Sequence, residues 1–201
     1  MKKKNVGILL FDDVEVLDFA GPFEVFSVAS EVHNHSLFDV FTFAKTASSI
    51  TAVNGLSVNP KYCFEDVPPI DILIVPGGNG SRELIKDQEV MDKVASIHNE
   101  SELTMTVCSG SRVPAMLGLL TDKPYCTHHQ VYEHMQELVP SATPKKELRY
   151  VQSDERLYTS GGISAGIDLS FHLLEKLCDT KVVRNTARYM EYRLEPGKYD
   201  N

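Results

Sequence analysis

The sequence predicts an α/β sandwich built on a mostly parallel β-sheet. Three observations lead there. Continuous apolar runs such as NVGILLF (Asn5–Phe11) and IDILIVPGG (Ile70–Gly78) have the composition of strands covered on both faces. Stretches of helical character separate these runs, and strands that alternate with helices pair in parallel through crossovers. The runs end in short turn segments, Asp12–Gly21, Gly77–Gly80 and Cys108–Ser111. The carboxyl ends of parallel strands are where ligands collect in such sheets.

Taken in order, Asn5–Phe11 is the first strand. GPFEVFSVAS then places Pro22 near a helix N-terminus, where its missing N–H costs little. Phe38–Ala44 is a second strand, and residues 46–60, rich in Ser, Thr, Asn and Gly, form a loop or small hairpin. Ile70–Gly78 is the third strand, Ser81–Asn99 a helix, Glu102–Cys108 the fourth strand and Ser109–Leu120 a helix. Lys123–Thr127 reads as a short strand and Val131–Leu138 as a helix stopped by Pro140. Glu147–Ser160 alternates around Asp154–Glu155 as a hairpin does, and Ile163–Cys178 and Lys181–Arg193 close the chain as helices.

The length of 201 residues suits one domain, 1–201, with room for a sizeable core. A net charge of −8, with no basic cluster beyond Lys2–Lys4, argues against nucleic acid as a partner, because phosphate binding needs a basic face. No apolar run approaches the roughly 18–20 residues of a membrane span. The opening MKKKNVGILLFDD has too short an apolar stretch, and no small-residue cleavage site, for a signal peptide. A cytoplasmic protein with no membrane partner is expected. Cys63, Cys108, Cys126 and Cys178 are widely spaced, with no C-x-x-C pair to suggest a zinc knuckle or disulfide framework.

The segment TMTVCSGSRVPAM raises the functional question. A strand through Val107 and a helix from Ser109 would leave Cys108 on a very tight connection, which suits the small neighbours Ser109, Gly110 and Ser111. That is the logic of a nucleophile elbow. Alone, a cysteine at a strand end is more often a small buried hydrophobe; the SGS turn and the PGG strand end favour function. The following helix N-terminus carries roughly half an elementary charge and is expected to lower the thiol pKa. The amides of Ser109, Gly77 and Gly78 are expected to form an oxyanion-type pocket. Asp18, between Leu17 and Phe19 and just before Gly21–Pro22, reads from its own context as an N-cap, which does not exclude an active-site carboxyl.

LDFAGPFEVF, IVPGG, TVCSGS, GLL, THH and SGGISAGID occur in that order. Together they resemble the ThiJ/PfpI superfamily of class I glutamine amidotransferase-like proteins, nearest the branch of isonitrile hydratases and of the amidase-like domains of AraC-type regulators. The resemblance runs from Val6 to about Tyr192 and implies a three-layer, flavodoxin-like sandwich. It places a catalytic acid at Asp18, a nucleophile at Cys108, a hydroxyl residue at Ser109 and backbone donors at Gly77 and Gly78. The T-H-[WH] motif lands on Thr127–His128, so His128 is expected to line the pocket, with His129 where tryptophan is usual. The peptidase branch has histidine directly after the cysteine, and Ser109 stands there instead. No late His-x-Glu dyad occurs in residues 150–170, so glutaminase chemistry is not expected.

The implied activity is cofactor-free, metal-free hydration of a small electrophile, an isonitrile giving an N-substituted formamide. Two alternatives stay open: a ligand-sensing, regulator-like module without a DNA-binding region of its own, and a glyoxalase-like or redox-responsive protein. The last branch generally has glutamate where Asp18 stands. Relatives commonly form homodimers, for which Phe19–Phe26 is expected to supply an apolar surface. Cys126, His128 and His129 lie too close together in sequence to share one tetrahedral metal site. The remaining cysteines and His33, His35, His98, His134 and His172 read as packing or surface residues. Gly161–Gly162 is expected to pack against the Cys108 turn, with Ile163 opening a helix and lining the pocket.

Overall fold

The computed structural model describes residues 2–194. In chain order the elements are β1 (Lys4–Leu9), α1 (Val16–Glu31), β2 (Phe38–Ala44), the short strands β3 (Ile50–Thr51) and β4 (Ser57–Val58), then β5 (Tyr62–Cys63) and β6 (Ile72–Val75). Helices α2 (Ser81–Leu84) and α3 (Gln88–Glu100), β7 (Leu103–Thr106), a 3₁₀ turn at Cys108–Ser111, α4 (Arg112–Met116), β8 (Pro124–Tyr125) and α5 (Tyr132–Leu138) follow. The described chain ends with β9 (Thr143–Pro144), β10 (Tyr150–Gln152), β11 (Leu157–Ser160), α6 (Ala165–Leu177) and α7 (Thr180–Tyr189).

Seven strands form one sheet in the order β10-β11-β7-β6-β1-β2-β5. Every pairing is parallel except β10–β11. Helices flank both faces. On β7, Thr104 turns its hydroxyl to His98 of α3 at 2.9 Å. Three residues on, Val107 meets α6, where a Cβ on Gly166 would lie 2.7 Å from the valine side chain. Side chains an odd number apart on an extended chain point to opposite faces, so α3 and α6 cover opposite sides. The core between them holds Val6, Ile8, Ile72, Ile74, Leu103 and Met105, all buried. The chain leaves β1 toward β2 on one side and returns to β6 on the other. The topological switch therefore lies between the carboxyl ends of β1 and β6, the expected ligand position in an open parallel sheet.

Several elements differ from the sequence expectation. Helix α1 begins at Val16, so Pro22 sits inside it and Asp18 lies in its first turn. The helix absorbs a proline without its N–H because the surrounding apolar face, including Phe19, Val25 and Phe26, is buried. Glu15 is the N-cap residue, and its side chain makes no cap bond, so Asp18 does not cap this helix. Ser81–Asn99 divides into α2 and α3 because Asp87 accepts the Val90 amide and restarts the helix. Ser109–Leu120 is a 3₁₀ turn plus the five residues of α4, ending at Gly118 with φ 72°. Helix α7 stops at Tyr189, before the expected Arg193. Phe19 and Phe26 are in the chain's own core, at 8% and 0% exposure, so within the expected Phe19–Phe26 surface only Ala20 and Phe23 are partly exposed apolar side chains.

The loop at 46–60 is a hairpin, with Asn54 and Gly55 at positive φ in its turn. Gly78, at φ 122°, joins β6 to α2 and bridges Val14. A Cβ there would lie 2.3 Å from the Asp13 carbonyl oxygen and 2.5 Å from the Glu15 nitrogen. Both are backbone atoms that cannot step aside. Gly78→Ala is expected to cost about 2 kcal/mol or more, lowering the thermal midpoint by about 4–8 °C for a chain of this size. Melting curves followed by circular dichroism check it; an unchanged midpoint contradicts this close packing.

Candidate active site

Four adjacent strand ends build the site. Asp18 comes from the helix after β1, Gly77 and Gly78 follow β6, Cys108 follows β7, and Ile163 follows β11. Cys108 has φ 57°, a left-handed conformation that is costly for a residue with a Cβ. Bonds at both ends of the residue hold it there. Its N–H donates to the Gly161 carbonyl at 3.1 Å, and its carbonyl accepts from the Thr127 hydroxyl at 2.9 Å. Gly110 has no room for a side chain, since a Cβ would lie 2.3 Å from the Val75 carbonyl oxygen. The glycine of SGS is thus required by close backbone approach. A Cβ on Gly162 would lie 3.3 Å from the Cys108 sulfur and 2.3 Å from the His128 ring, so the SGG segment packs on this turn as expected.

Asp18 is fully buried. One carboxyl oxygen accepts the Gly77 amide at 3.0 Å and the other accepts the Ile163 amide at 3.0 Å. Ile163 has φ 56°, a strained setting for a β-branched residue, and that setting aims its amide at the acid. Burial pushes the Asp18 pKa up to about 7, against the two amide bonds and the Cys108 thiol bond that favour the anion. The Cys108 thiol, 7% exposed, is pushed up to about 12 by burial and then by the negative charge of Asp18. The Ser109 amide and hydroxyl pull weakly the other way. The two groups share a hydrogen bond and titrate as a pair.

This corrects the expected low-pKa thiol. The helix meant to lower it is a 3₁₀ turn followed by five residues, too short to build a strong dipole, and desolvation wins. The structure also engages both glycine amides within the fold. Gly77 holds Asp18, and Gly78 donates to the Ser109 hydroxyl at 2.9 Å. The Ser109 amide is the one directed at the sulfur. What the pair can do chemically is move one proton between sulfur, carboxyl and a bound molecule without free thiolate building up.

Cys108, Ser109, His128 and Ile163 line a polar cavity of about 160 Å³. The His128 ring lies tilted against that of His129, with ring centres 4.2 Å apart, and its pKa is lowered by burial and by His129, which favours the neutral ring. Cys126 is buried beneath, its thiol donating to the Lys145 carbonyl at 3.3 Å. A larger cavity of about 410 Å³ lies among Leu10, Phe11, Ala44 and Lys45 and contains neither Cys108 nor Asp18. Sequence reasoning missed Arg82 and Arg112, which also line the Cys108 cavity, and took His134 as packing or surface although it bonds Arg112. The position of Arg112, four residues after Cys108, was the available signal.

A mostly parallel α/β sandwich that displays a cysteine at the end of a central strand, against a buried acid, defines a class of cysteine-centred α/β proteins. The chain belongs to the DJ-1/PfpI family, whose model matches residues 4–176. It is 32% identical over 192 residues to the isonitrile hydratase of Pseudomonas putida, covering 96% of this chain and 80% of that protein. It is 26% identical over 171 residues to the HTH-type transcriptional regulator GbdR of Pseudomonas aeruginosa, covering 85% of this chain but only 46% of the regulator. Among solved structures, a ThiJ/PfpI family protein from Pseudomonas syringae superposes with a TM-score of 0.85 at 24% identity, covering 98% of this chain and 78% of that one. Drosophila melanogaster DJ-1beta gives 0.82 at 18% identity, covering 96% and 100%. These two show the fold.

The pKa directions set an expected outcome. Cys108 reacts slowly with iodoacetamide at pH 7, and its rate keeps climbing with pH well above 9. Removing the neighbouring charge by Asp18→Asn speeds alkylation at pH 8. Peptide mass spectrometry over a pH series checks this; a rate already level at pH 7 contradicts the thiol–acid arrangement.

Proposed function

We propose that this protein hydrates isonitriles to N-substituted formamides, with Cys108 as nucleophile and Asp18 as proton carrier. One observation supports it above the rest: a thiol that does not ionise alone is bonded to a carboxyl poised near neutrality and fixed by two amides. The 32% identity to an isonitrile hydratase points the same way. The terminal carbon of an isonitrile takes a nucleophile and a proton at the same atom. That demand suits a sulfur and an acid side by side.

The reacting state has Asp18 ionised and Cys108 as thiol. As the sulfur–carbon bond forms, the thiol proton passes to Asp18 and on to the same carbon. The triple bond becomes the C=N of a thioimidate, and Asp18 is again a carboxylate. Water then adds to the thioimidate carbon; its proton goes to Asp18 and from there to nitrogen. The carbon–sulfur bond breaks, its electron pair returns to sulfur, and the hydroxyl proton returns through Asp18 to the thiol. The sum is one isonitrile plus one water giving one formamide.

A second reading has support in the 26% identity to a transcriptional regulator: the cavity binds its ligand and turns nothing over. The redox alternative has less support: burial and the Asp18 charge push the thiol pKa up, which works against the thiolate that oxidation uses.

Formation of N-substituted formamide from aliphatic isonitriles, followed by proton NMR of the formyl group, tests the proposal. Cys108→Ala is expected to abolish turnover. Asp18→Asn is expected to lower kcat/KM by about 10²–10⁴-fold, the range for lost proton transfer. Because the reacting state needs the carboxylate, wild-type kcat/KM rises with pH and levels off above about 7. Retained turnover in Cys108→Ala overturns the mechanism; bound isonitrile without product supports the sensing alternative.

A further inference from the structure

Arg112 is 3% exposed. A cation that deep is almost always paired with a carboxylate, because removing it from water is expensive. Among the described residues Arg112 has no such partner. Its Nε donates to His134 Nδ1 at 2.9 Å and its Nη1 donates to the Ser81 hydroxyl at 2.7 Å, both neutral acceptors. A guanidinium has five N–H donors, so two are used and three find no acceptor among the described residues. His134 must present a lone pair to Nε; burial first, then Arg112 and Arg82, lowers its pKa and keeps it neutral. Arg112 itself keeps its charge at any ordinary pH.

Arg112 also lines the cavity that holds Cys108. Arg112, Arg82 and Asn79 line it together. Arg82 is close enough to Arg112 to disfavour the charge there, which a bound anion would relieve. The acidic residue of the lining, Glu15, acts on Asp18 and His128, while the charges acting on Arg112 are those of Arg82 and Cys108. The lining thus brings two arginines, one carboxylate and His128 around one small space beside the sulfur.

We propose that Arg112 and Arg82 form an anion subsite, and that the substrate is an isonitrile bearing a carboxylate close to its reacting carbon. The planar fork of a guanidinium matches a carboxylate bidentately. Such a substrate would place its negative charge on the arginines while its terminal carbon meets Cys108. The assignment of an isonitrile rests on the hydratase reading above; the anion subsite does not.

The experiment has two arms on the full chain. In the first, isocyanoacetate is compared with its methyl ester as substrate. The acid is expected to have at least a tenfold higher kcat/KM, about 1.4 kcal/mol. Arg112→Met is expected to bring the acid-to-ester ratio close to one, and Arg82→Gln, at an exposed position, to lower it part of the way. In the second arm, Cys108 alkylation by iodoacetate is compared with that by iodoacetamide. Iodoacetate is expected to saturate and to be the faster reagent, with Arg82→Gln lowering the iodoacetate-to-iodoacetamide ratio. Circular dichroism confirms that each variant is folded, and Arg82→Gln carries the test if Arg112→Met is not. An ester turned over as well as the acid overturns the substrate assignment. Iodoacetate slower than iodoacetamide in the wild type overturns the subsite. If neither isonitrile reacts but iodoacetate is preferred, the subsite stands and the hydratase reading fails.

Discussion

The exclusion of water from the Asp18 carboxyl is the constraint on which the rest of the site depends. A carboxylate alone in a protein interior is strongly disfavoured, and here desolvation outweighs two good amide bonds, leaving the group near neutrality. Those two amides come from the ends of different strands, β6 and β11. The acid thus ties together segments nearly 150 residues apart in sequence and sets the distance between the carboxyl and the thiol.

Strain is concentrated around the same point. Cys108 and Ile163 both adopt positive φ without being glycine or asparagine, and each uses that conformation to aim a group, the sulfur in one case and an amide in the other. Close-packed backbone holds them there. Glycines at 77, 110 and 162 let strand ends approach to distances no side chain would permit. This close packing holds the thiol and the acid beside one another and away from water.

Charge in the cavity is distributed rather than neutral. The basic side comes from α2 and the start of α4, short helices placed side by side after β6 and β7. Ser81 links them, receiving Arg112 while it bonds the Ser109 hydroxyl beside the sulfur. A change in ligand charge at Arg112 is therefore connected to the residue next to Cys108 through two hydrogen bonds.

Much of this protein is legible in its sequence because local rules carry it. Buried parallel strands are continuous apolar runs, so β1, β6 and β7 are found within a few residues. The SGS turn after an apolar run marks Cys108, since its glycine fits where backbones approach closely. Its thiol pKa is not legible: the dipole expected from the next helix is a local argument, while desolvation depends on everything packed around the sulfur. Asp18 shows the same division. D-x-x-G-P in isolation reads as a turn with a cap, yet α1 begins earlier and runs through Pro22, because burial of its apolar face outweighs one lost hydrogen bond. The sequence by itself determined the order of most elements through periodicity and marked Cys108 through the small residues around it, while Asp18 was pointed to only by the family resemblance of its motif. Only the tertiary structure decided the raised pKa values of Asp18 and Cys108 and left Arg112 without a carboxylate among the described residues, because both depend on the water that distant segments exclude.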